Sequence, residues 1–285
     1  MQIFYNIAAY KAWHAKLKSK HASIGFVATM GALHQGHLSL IASANQENEC
    51  SVCSIYVNPT QFNDSGDYEK YPRILDDDIA ALEKQNCDVL FAPESGEMYP
   101  ANEEEAPRSK LNLGVLAEVM EGEFRPGHFD GVVTIVEKLF RIIQPQRAYF
   151  GEKDYQQLAV IRKMNQEFGL PIEIIGCPTI RENDGLAMSS RNLLLSSAER
   201  TEASAIYRLL VKSKEQLKNL EVQQIKQRLI DDINRFETLD VEYIEIADAQ
   251  TLKPIDSWDS AESAVCCVAV LSGNVRLIDN IMLYN

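Results

Sequence analysis

A short segment between Thr29 and His37 contains the residue types needed to bind a phosphate group. It reads Thr-Met-Gly-Ala-Leu-His-Gln-Gly-His and lies between an apolar β-like run and a stretch of helical character. Gly31 and Gly36 allow the backbone to turn tightly and to approach a ligand closely. The first N–H groups of the following helix would lack intrahelical partners and would favour negative charge. His34 and His37 would lie on one side of that terminus. The segment therefore predicts a phosphate site with imidazole donors.

Two further segments have similar features. Residues 149–157 (Tyr-Phe-Gly-Glu-Lys-Asp-Tyr-Gln-Gln) again place a glycine between a predicted strand and a helix, and Lys153 can reach a phosphate as a mobile positive charge. Residues 184–192 (Asp-Gly-Leu-Ala-Met-Ser-Ser-Arg-Asn) offer two hydroxyls and one guanidinium. Each segment alone could be a structural turn. Together the three segments indicate that ATP is bound and that pyrophosphate is released.

Alternating β-like and helical runs must position these segments. The predicted strands cover residues 24–29, 51–57, 88–92, 147–150 and 172–177, and the predicted helices cover 37–48, 76–85, 131–143 and 155–168. Alternation at this spacing is typical of βαβ units and of a parallel sheet with helices on both faces. The expected class is α/β, with a Rossmann-like, doubly wound parallel sheet. Ligands in such folds bind beyond the carboxyl ends of the strands.

The pattern changes after about residue 190. Predicted helices at 196–220 and 221–236 precede predicted strands at 241–247, 264–271 and 275–282, with a turn at 272–274. We therefore expect two domains. Residues 1–179 would form the Rossmann-like ATP-binding domain, and residues 180–285 a smaller α+β lid domain that carries the loop 188–191. The acidic run 103–105 is interpreted as a solvated loop.

Composition excludes some classes of function. The net charge of −13 over 285 residues argues against an extended nucleic-acid surface. No apolar run approaches the roughly 20 residues that cross a bilayer, and no signal peptide is visible, so a cytoplasmic location is expected. Cys50 and Cys53 have redox or half-zinc spacing, but no second pair completes a metal site. A place in the buried core is the favoured interpretation.

The three segments resemble the motifs of a large superfamily. His34 to His37 is similar to the H-x-G-H motif of the nucleotidyltransferases, which include the class I aminoacyl-tRNA synthetases. Residues 188–191 (Met-Ser-Ser-Arg) resemble the K-M-S-K-S loop of the same superfamily. Ala187 stands where that loop has its first lysine, so Lys153 would provide the missing charge. The resemblance implies that these residues bind ATP and stabilise the transition state of adenylyl transfer.

Additional segments narrow the resemblance to one family. Residues 57–62 (Val-Asn-Pro-Thr-Gln-Phe), 67–78 and 121–132 occur in order with the three segments above. The whole set, from residue 29 to 192, resembles the pantothenate synthetase family. Membership implies ATP-dependent condensation of (R)-pantoate with β-alanine through a pantoyl adenylate, with release of AMP and pyrophosphate. It also implies Mg²⁺, a homodimer and a place in coenzyme A biosynthesis.

The resemblance also implies roles for particular residues. His37, His34, Lys153 and Arg191 would be catalytic, with His37 as proton donor and phosphate ligand. Gln61 and Gln157 would bind pantoate. The β-alanine region would contain Gln61, Asn58, Tyr71, Arg125 and His128. The ATP contacts would be Met30, Gly31, Ala32, Leu33, His34, Gln35, Gly36, His37, Gly151, Glu152, Lys153, Asp154, Ile180, Met188, Ser189, Ser190 and Arg191.

Several alternatives remain open at this point. Asp77 and Asp78 are candidates for an indirect hold on Mg²⁺, although an acidic run at the start of a helix also has a purely structural explanation. An adenylyl transferase of the same superfamily that produces a dinucleotide is the nearest rival function. A non-catalytic nucleotide-binding module on the same fold is a rival from another class.

Overall fold

Short apolar runs build a parallel sheet in the N-terminal part of the chain. The computed structural model describes residues 1–18, 22–63, 65–100 and 111–285, and within these ranges the sheet has six strands. Its strands are β1 (Gln2–Phe4), β2 (Ile24–Thr29), β3 (Cys50–Ile55), β4 (Val89–Phe91), β5 (Arg147–Gly151) and β6 (Glu173–Cys177). The accompanying helices are α1 (Ile7–Lys18), α2 (Gln35–Glu47), α3 (Ser65–Lys70), α4 (Leu75–Lys84), α5 (Ser95–Met98), α6 (Glu121–Phe124), α7 (His128–Ile143) and α8 (Tyr155–Glu167).

The order of the strands determines where a ligand can bind. They lie in the order β1-β4-β3-β2-β5-β6, and the neighbouring strands run parallel. From β2 the chain proceeds outward through β3 and β4, then crosses back to β5 and β6 on the other side. This reversal between β2 and β5 creates a crevice at the carboxyl ends of the strands. The predicted α/β class and doubly wound sheet are confirmed.

Both faces of the sheet are covered by helices. Phe26 of β2 belongs to a core cluster that includes residues of α1, α7 and α8, whereas Val27 belongs to a second cluster with residues of α2 and α4. Cys50 and Cys53 of β3 divide between the same two clusters, so they point to opposite faces. All six cysteines lie in the described ranges, are buried and are unpaired. The interpretation of Cys50 and Cys53 as core residues is confirmed.

The C-terminal part contains a second, antiparallel sheet. Within the described ranges this sheet consists of three strands in the order β7-β8-β9. Its elements are α9 (Ser197–Ala203), α10 (Ala205–Lys214), α11 (Val222–Ile233), β7 (Leu239–Asp248), β8 (Ala264–Ser272) and β9 (Val275–Tyr284). These elements have a core cluster of their own, but Val265 and Cys267 of β8 pack into the core of the first sheet. The domain boundary at residues 179 and 180 stays a prediction.

The boundaries differ from the predictions at a few positions. Strand β1 and helix α1 were not predicted, because β1 has only three residues and α1 is weakly amphipathic. The helix predicted over 196–220 is divided at Ser204 and ends at Lys214. The acidic run 103–105 lies outside the described residues. Among the helices in the described ranges, none is both long and apolar enough to cross a bilayer.

Helix α7 lies unusually close to the short 3-10 turn Pro59–Gln61 that follows β3. A Cβ atom built on Gly131 would lie 2.5 Å from the carbonyl oxygen of Thr60 and 2.7 Å from Cα of Gln61. Both of these are backbone atoms, so a side chain at position 131 would displace the turn itself. The missing side chain of Gly131 therefore sets the position of Gln61.

We predict that Gly131→Ala lowers the free energy of unfolding by about 1–3 kcal/mol, since overpacking must move backbone atoms. Chemical denaturation measures the change. Gly96→Ala is the matched control, because Gly96 is exposed in α5 and a Cβ there would meet no atom within 4 Å. If the two variants were equally stable, the turn would not be held by its contact with α7.

Candidate active site

A buried carboxylate of helix α4 holds the loop that follows β2. Asp78, in the first turn of α4, accepts hydrogen bonds from the N–H groups of Ala32 at 2.9 Å and Leu33 at 2.7 Å. Gly31 has a φ of +82°, and a Cβ atom there would lie 2.9 Å from Oδ2 of Asp78. The positive φ and the close carboxylate explain why glycine occupies this position. Asp78 therefore shapes the loop that leads into α2.

This geometry does not fit a metal role for Asp77 and Asp78. Asp78 is 2% exposed, and each of its carboxylate oxygens accepts a backbone hydrogen bond. Asp77 is exposed on the surface of α4. Among the described residues, no group of three or more His, Cys, Asp or Glu side chains is arranged to hold a metal ion. The contacts of Asp78 and the exposure of Asp77 do not support the prediction that the pair helps to hold Mg²⁺.

His34 and His37 cap the N-terminus of α2. Nδ1 of His34 accepts a hydrogen bond from the N–H of Gly36 at 3.1 Å. Nδ1 of His37 accepts one from the N–H of His34 at 3.4 Å, and the two ring centroids are 4.0 Å apart. Since each Nδ1 accepts a hydrogen bond, each neutral ring carries its own proton on Nε2. Both Nε2–H groups are then available to a ligand at the helix terminus.

Both imidazoles are neutral near pH 7. Burial and the positive charge of Lys153 lower the pKa of His34 to about 4. Burial, the adjacent His34 ring and Lys153 lower the pKa of His37 to about 3. The two rings can therefore donate hydrogen bonds to phosphate oxygens without carrying charge. The proton donor implied for His37 is, in this geometry, a neutral N–H group.

The segment after β5 is fixed by the C-terminal sheet. Residues Glu152–Asp154 form a 3-10 turn between β5 and α8. The side-chain amide of Asn280, in β9, donates to the carbonyl oxygens of Glu152 at 2.9 Å and Lys153 at 2.8 Å. The carbonyl groups are thereby held while the Lys153 side chain remains on the cavity wall. Asn280 was missed in the sequence, because this contact joins residues far apart in the chain.

Several polar contacts hold the loop around Met188. The N–H of Met188 donates to the carbonyl oxygen of Ile180 at 3.0 Å. Oγ of Ser189 accepts from the N–H of Arg191 at 3.3 Å and caps the 3-10 turn Ser190–Leu194. The hydroxyl of Tyr71 lies 3.3 Å from Oγ of Ser190, so a residue before α4 contacts this loop. Tyr71 and Ser190 are both buried.

These segments surround two adjoining cavities. The first, of about 210 Å³, contains both histidines and is named here the histidine cavity. The second, of about 270 Å³, contains Arg125 and is named the arginine cavity. They share one wall, which consists of Lys153, Asp154, Gln157, Ser189 and Arg191.

Most of the predicted ATP contacts line the histidine cavity. Those on its wall are Met30, His34, Gly36, His37, Gly151, Lys153, Asp154, Ile180, Met188, Ser189, Ser190 and Arg191. The predicted contacts that lie off the wall are Gly31, Ala32, Leu33, Gln35 and Glu152. Ala187, where the related loop has lysine, is buried and lines the arginine cavity instead. Lys153 lies on the same wall as Arg191. This position agrees with the expectation that Lys153 replaces the lysine that the related loop has at position 187.

The two residues predicted to bind pantoate also line the histidine cavity. Gln157 lies on the shared wall, and Gln61 lies beside Met30, with 3.1 Å between Nε2 and the sulfur. An apolar stripe of α7 faces them and was missed as part of the site. Its members follow helical spacing, which could have identified them as one face: Val132, Ile135, Val136 and Leu139.

The predicted β-alanine residues divide between the cavities. Gln61 and Tyr71 line the histidine cavity, and Arg125 and His128 line the arginine cavity. Asn58 lines neither cavity, and its predicted role at the β-alanine site stays a prediction. Its side chain is fully buried and donates to the carbonyl oxygen of Gly131 at 3.1 Å. Asn58 supports the turn that carries Gln61.

A short chain of hydrogen bonds joins the two cavities. Nη1 of Arg125 lies 3.2 Å from Nε2 of His128, and Nδ1 of His128 lies 2.8 Å from the carbonyl oxygen of Gln61. Arginine can only donate, so Nε2 of His128 accepts and Nδ1 carries the proton. Burial, together with the charge of Arg125, lowers the pKa of His128 to about 4. His128 therefore has the opposite tautomer to His34 and His37.

Comparison with known proteins identifies the family. A family model described as "Pantoate-beta-alanine ligase" matches residues 2–282. The chain belongs to the pantoate–β-alanine ligase family. The resemblance found in the sequence is confirmed, and membership assigns the chain to the ligases of pantothenate biosynthesis.

Relatives of this ligase family match over almost the whole chain. A pantothenate synthetase from Porphyromonas gingivalis is 47% identical over 281 residues and covers 99% of each chain. One from Phocaeicola vulgatus is 50% identical over 266 residues, with 93% of each chain covered. The crystal structure of the Thermus thermophilus enzyme superposes with a TM-score of 0.91 at 41% identity and full coverage of both chains.

We predict distinct tautomers for the three histidines of the site. Two-bond ¹H–¹⁵N spectra should show His34 and His37 protonated on Nε2 and His128 on Nδ1, with no titration of these rings between about pH 5 and 8. The expectation follows from pKa values near 4, 3 and 4 for His34, His37 and His128. Single His→Asn variants assign the signals. A titration midpoint near 6.5 for any of the three rings would contradict its burial in a neutral form.

We predict that Asp78→Asn lowers the free energy of unfolding by about 2–4 kcal/mol, because two backbone N–H groups lose a charged acceptor. Asp77→Asn is the control and should leave stability unchanged, because that side chain is exposed. Neither variant should alter the dependence of activity on Mg²⁺ concentration. A shifted Mg²⁺ dependence in either variant would restore the metal role that the geometry does not support.

Proposed function

We propose that this member of the ligase family condenses (R)-pantoate with β-alanine through a pantoyl-adenylate intermediate made from ATP. The observation that carries the proposal is the wall shared by the two cavities. Lys153, Gln157 and Arg191 line both of them. An acyl group activated in the histidine cavity would therefore lie beside the residues of the arginine cavity, where an amine could attack it.

ATP would occupy the histidine cavity. The first N–H groups of α2, the Nε2–H groups of His34 and His37, and the cations Lys153 and Arg191 all suit phosphate oxygens. The solved structure of the Francisella tularensis ligase, 38% identical with a TM-score of 0.83, is a complex with β-γ ATP and β-alanine. That complex supports both ligands for this chain.

Pantoate would bind between Gln61, Gln157 and the apolar stripe of α7. Its hydroxyl and carboxylate oxygens match amide donors and acceptors. Its two methyl groups match the stripe of Val132, Ile135, Val136 and Leu139, which offers no polar partner. The site thereby distinguishes the polar end of the substrate from its branched carbon.

The first step would be attack of the pantoate carboxylate on the α-phosphorus of ATP. A bond forms between a carboxylate oxygen and the α-phosphorus, and the bond to the β-phosphate oxygen breaks. Pyrophosphate leaves with the electron pair. Lys153, Arg191 and the helix terminus would neutralise the charge that accumulates on the phosphate oxygens. Any Mg²⁺ would be held by those phosphates and by water, since the described residues offer it no dedicated site.

The second step would be attack of the neutral amine of β-alanine on the acyl carbon. A carbon–nitrogen bond forms, the bond from the acyl carbon to the AMP oxygen breaks, and AMP leaves with the electron pair. The extra proton of the amine passes to solvent. Arg125 would bind the β-alanine carboxylate in the arginine cavity. The protein needs no covalent nucleophile, because positioning and electrostatics suffice.

The proposal is tested by following AMP and pyrophosphate with pantoate, ATP and Mg²⁺, with and without β-alanine. We expect that AMP and pantothenate accumulate only when both pantoate and β-alanine are present. Pyrophosphate formation that is independent of pantoate would contradict the proposed substrate. Formation of a dinucleotide product would favour the rival adenylyl transferase, and binding of ATP without turnover would favour a nucleotide-binding module.

In the same assay, His37→Ala should reduce adenylate formation by about 100–1,000-fold, the effect of removing one donor that stabilises transition-state charge. The free energy of unfolding should fall by only about 1 kcal/mol, as for loss of one capping contact at the start of α2. Gln46→Ala, an exposed change in the last turn of α2, is the control. Normal turnover by His37→Ala would remove that histidine from the mechanism.

The homodimer, the cytoplasmic location and the division into two domains remain proposals that rest on the resemblance and on the sequence pattern. Sedimentation velocity at micromolar concentration distinguishes a dimer from a monomer. A core cluster whose buried members all lie between residues 186 and 283 supports the division into two domains.

A further inference from the structure

A group of charged side chains joins the C-terminal sheet to helix α6 beside the arginine cavity. Arg276 of β9 donates to both carboxylate oxygens of Glu121, at 2.8 Å and 2.7 Å. The same guanidinium contacts Oε2 of Glu242 through Nε at 2.9 Å and through Nη2 at 2.6 Å. The hydroxyl of Tyr243 donates to Glu121 at 2.9 Å. The guanidinium of Arg276 therefore pairs with two carboxylates, those of Glu121 and Glu242.

An irregularity in β7 makes this arrangement possible. Val241 pairs with Val270 and Tyr243 with Ala269, so Glu242 is an extra residue without a partner in β8. Such a bulge turns the following side chain to the other face of the sheet. Val241 accordingly packs against the core of the C-terminal sheet, whereas Tyr243 packs against the core of the first sheet. The bulge thus directs Tyr243 toward Glu121.

Arg125 lies next to this group but makes fewer and longer polar contacts than Arg276. Its closest contact with Glu121 is a single 3.5 Å approach of Nη1 to Oε2, and the same Nη1 lies 3.2 Å from Nε2 of His128. Among the described residues, these are the polar contacts of the Arg125 side chain. The Arg125 side chain is partly exposed on the wall of the arginine cavity. Its remaining N–H groups can donate to the carboxylate of a ligand.

We propose that Arg276 is a positioning residue, which by engaging Glu121 leaves Arg125 available for the carboxylate of β-alanine. This inference rests on the proposed function. Arg276 also lines the arginine cavity, but Glu121 and Glu242 engage its guanidinium, so in this scheme it does not bind the substrate. It acts because Arg276 occupies both oxygens of Glu121, so that Arg125 makes only a single 3.5 Å approach to that carboxylate.

The burial of Glu121 explains why its carboxylate needs a close positively charged partner. Burial raises the pKa of Glu121, but the bonds and charge of Arg276, with those of Arg125 and Tyr243, outweigh it and lower the pKa below its ordinary value. The carboxylate is therefore ionised although it is 7% exposed. A buried carboxylate that loses its partner is strongly destabilised. Without Arg276, Glu121 would draw in the guanidinium of Arg125 and close the 3.5 Å gap.

The test separates the two half-reactions. For Arg276→Gln we expect the KM for β-alanine to rise by about tenfold or more, as for loss of a charged substrate contact. Pantoate-dependent ATP–pyrophosphate exchange, which needs no β-alanine, should stay within about twofold of the wild type. The double variant Glu121→Gln/Arg276→Gln should recover most of the β-alanine affinity, because the neutral amide no longer captures Arg125.

Lys226→Gln is the matched control. Lys226 forms a 2.7 Å ion pair with Glu245 of β7, similarly half-buried, and lines neither cavity. Its loss should leave the KM for β-alanine unchanged. An unchanged KM in Arg276→Gln would overturn the proposal, as would a double variant at least as impaired as the single one. If Arg276→Gln does not fold, a tenfold higher KM in the double variant is the overturning result. A wild-type protein without β-alanine-dependent AMP formation would instead overturn the proposed function.

Discussion

Two hydrogen bonds to one buried carboxylate hold the histidine cavity in shape. Asp78 receives the N–H groups of Ala32 and Leu33, and this contact fixes the loop between the central strand and α2. The loop in turn determines where α2 begins and therefore where its unpaired N–H groups point. His34 and His37 then cap that terminus with their protons directed outward. The N–H groups of α2 and the imidazole N–H groups of His34 and His37 therefore depend on a helix start that Asp78, in α4, stabilises.

The C-terminal sheet contributes to the site at two separate places. Asn280 holds the backbone of Glu152 and Lys153, and Arg276 engages Glu121. Both residues belong to β9, so one strand supports both cavities. The parallel sheet carries the elements proposed to bind phosphate at its strand-order reversal, and the antiparallel sheet orders the side chains around them. Catalytic geometry therefore depends on how the two sheets pack against each other.

Much of the fold and of the histidine cavity could be predicted from sequence, because the responsible signals are local. A strand, a glycine turn and the start of a helix lie within a few residues at positions 29–37, and again at 149–157. Asp78 was assigned to a possible metal site, because an acidic run at the start of a helix has the same appearance whether it binds an ion or a loop. The β-alanine role of Asn58 came from the resemblance and stays a prediction. The sequence could not show that its side chain is fully buried and donates to the carbonyl oxygen of Gly131, because that contact joins residues 73 positions apart.

The contacts of Arg276, Glu121 and Tyr243 could not be predicted, since they join residues more than 100 positions apart and depend on a bulge. That bulge has a consequence for how this protein can diverge. Deleting Glu242 would restore regular alternation to β7 and would keep Tyr243 on the face opposite Val241. The deletion would instead remove one of the two carboxylates that Arg276 contacts. A relative that lacks this residue would therefore keep the tyrosine contact and leave the whole guanidinium to Glu121.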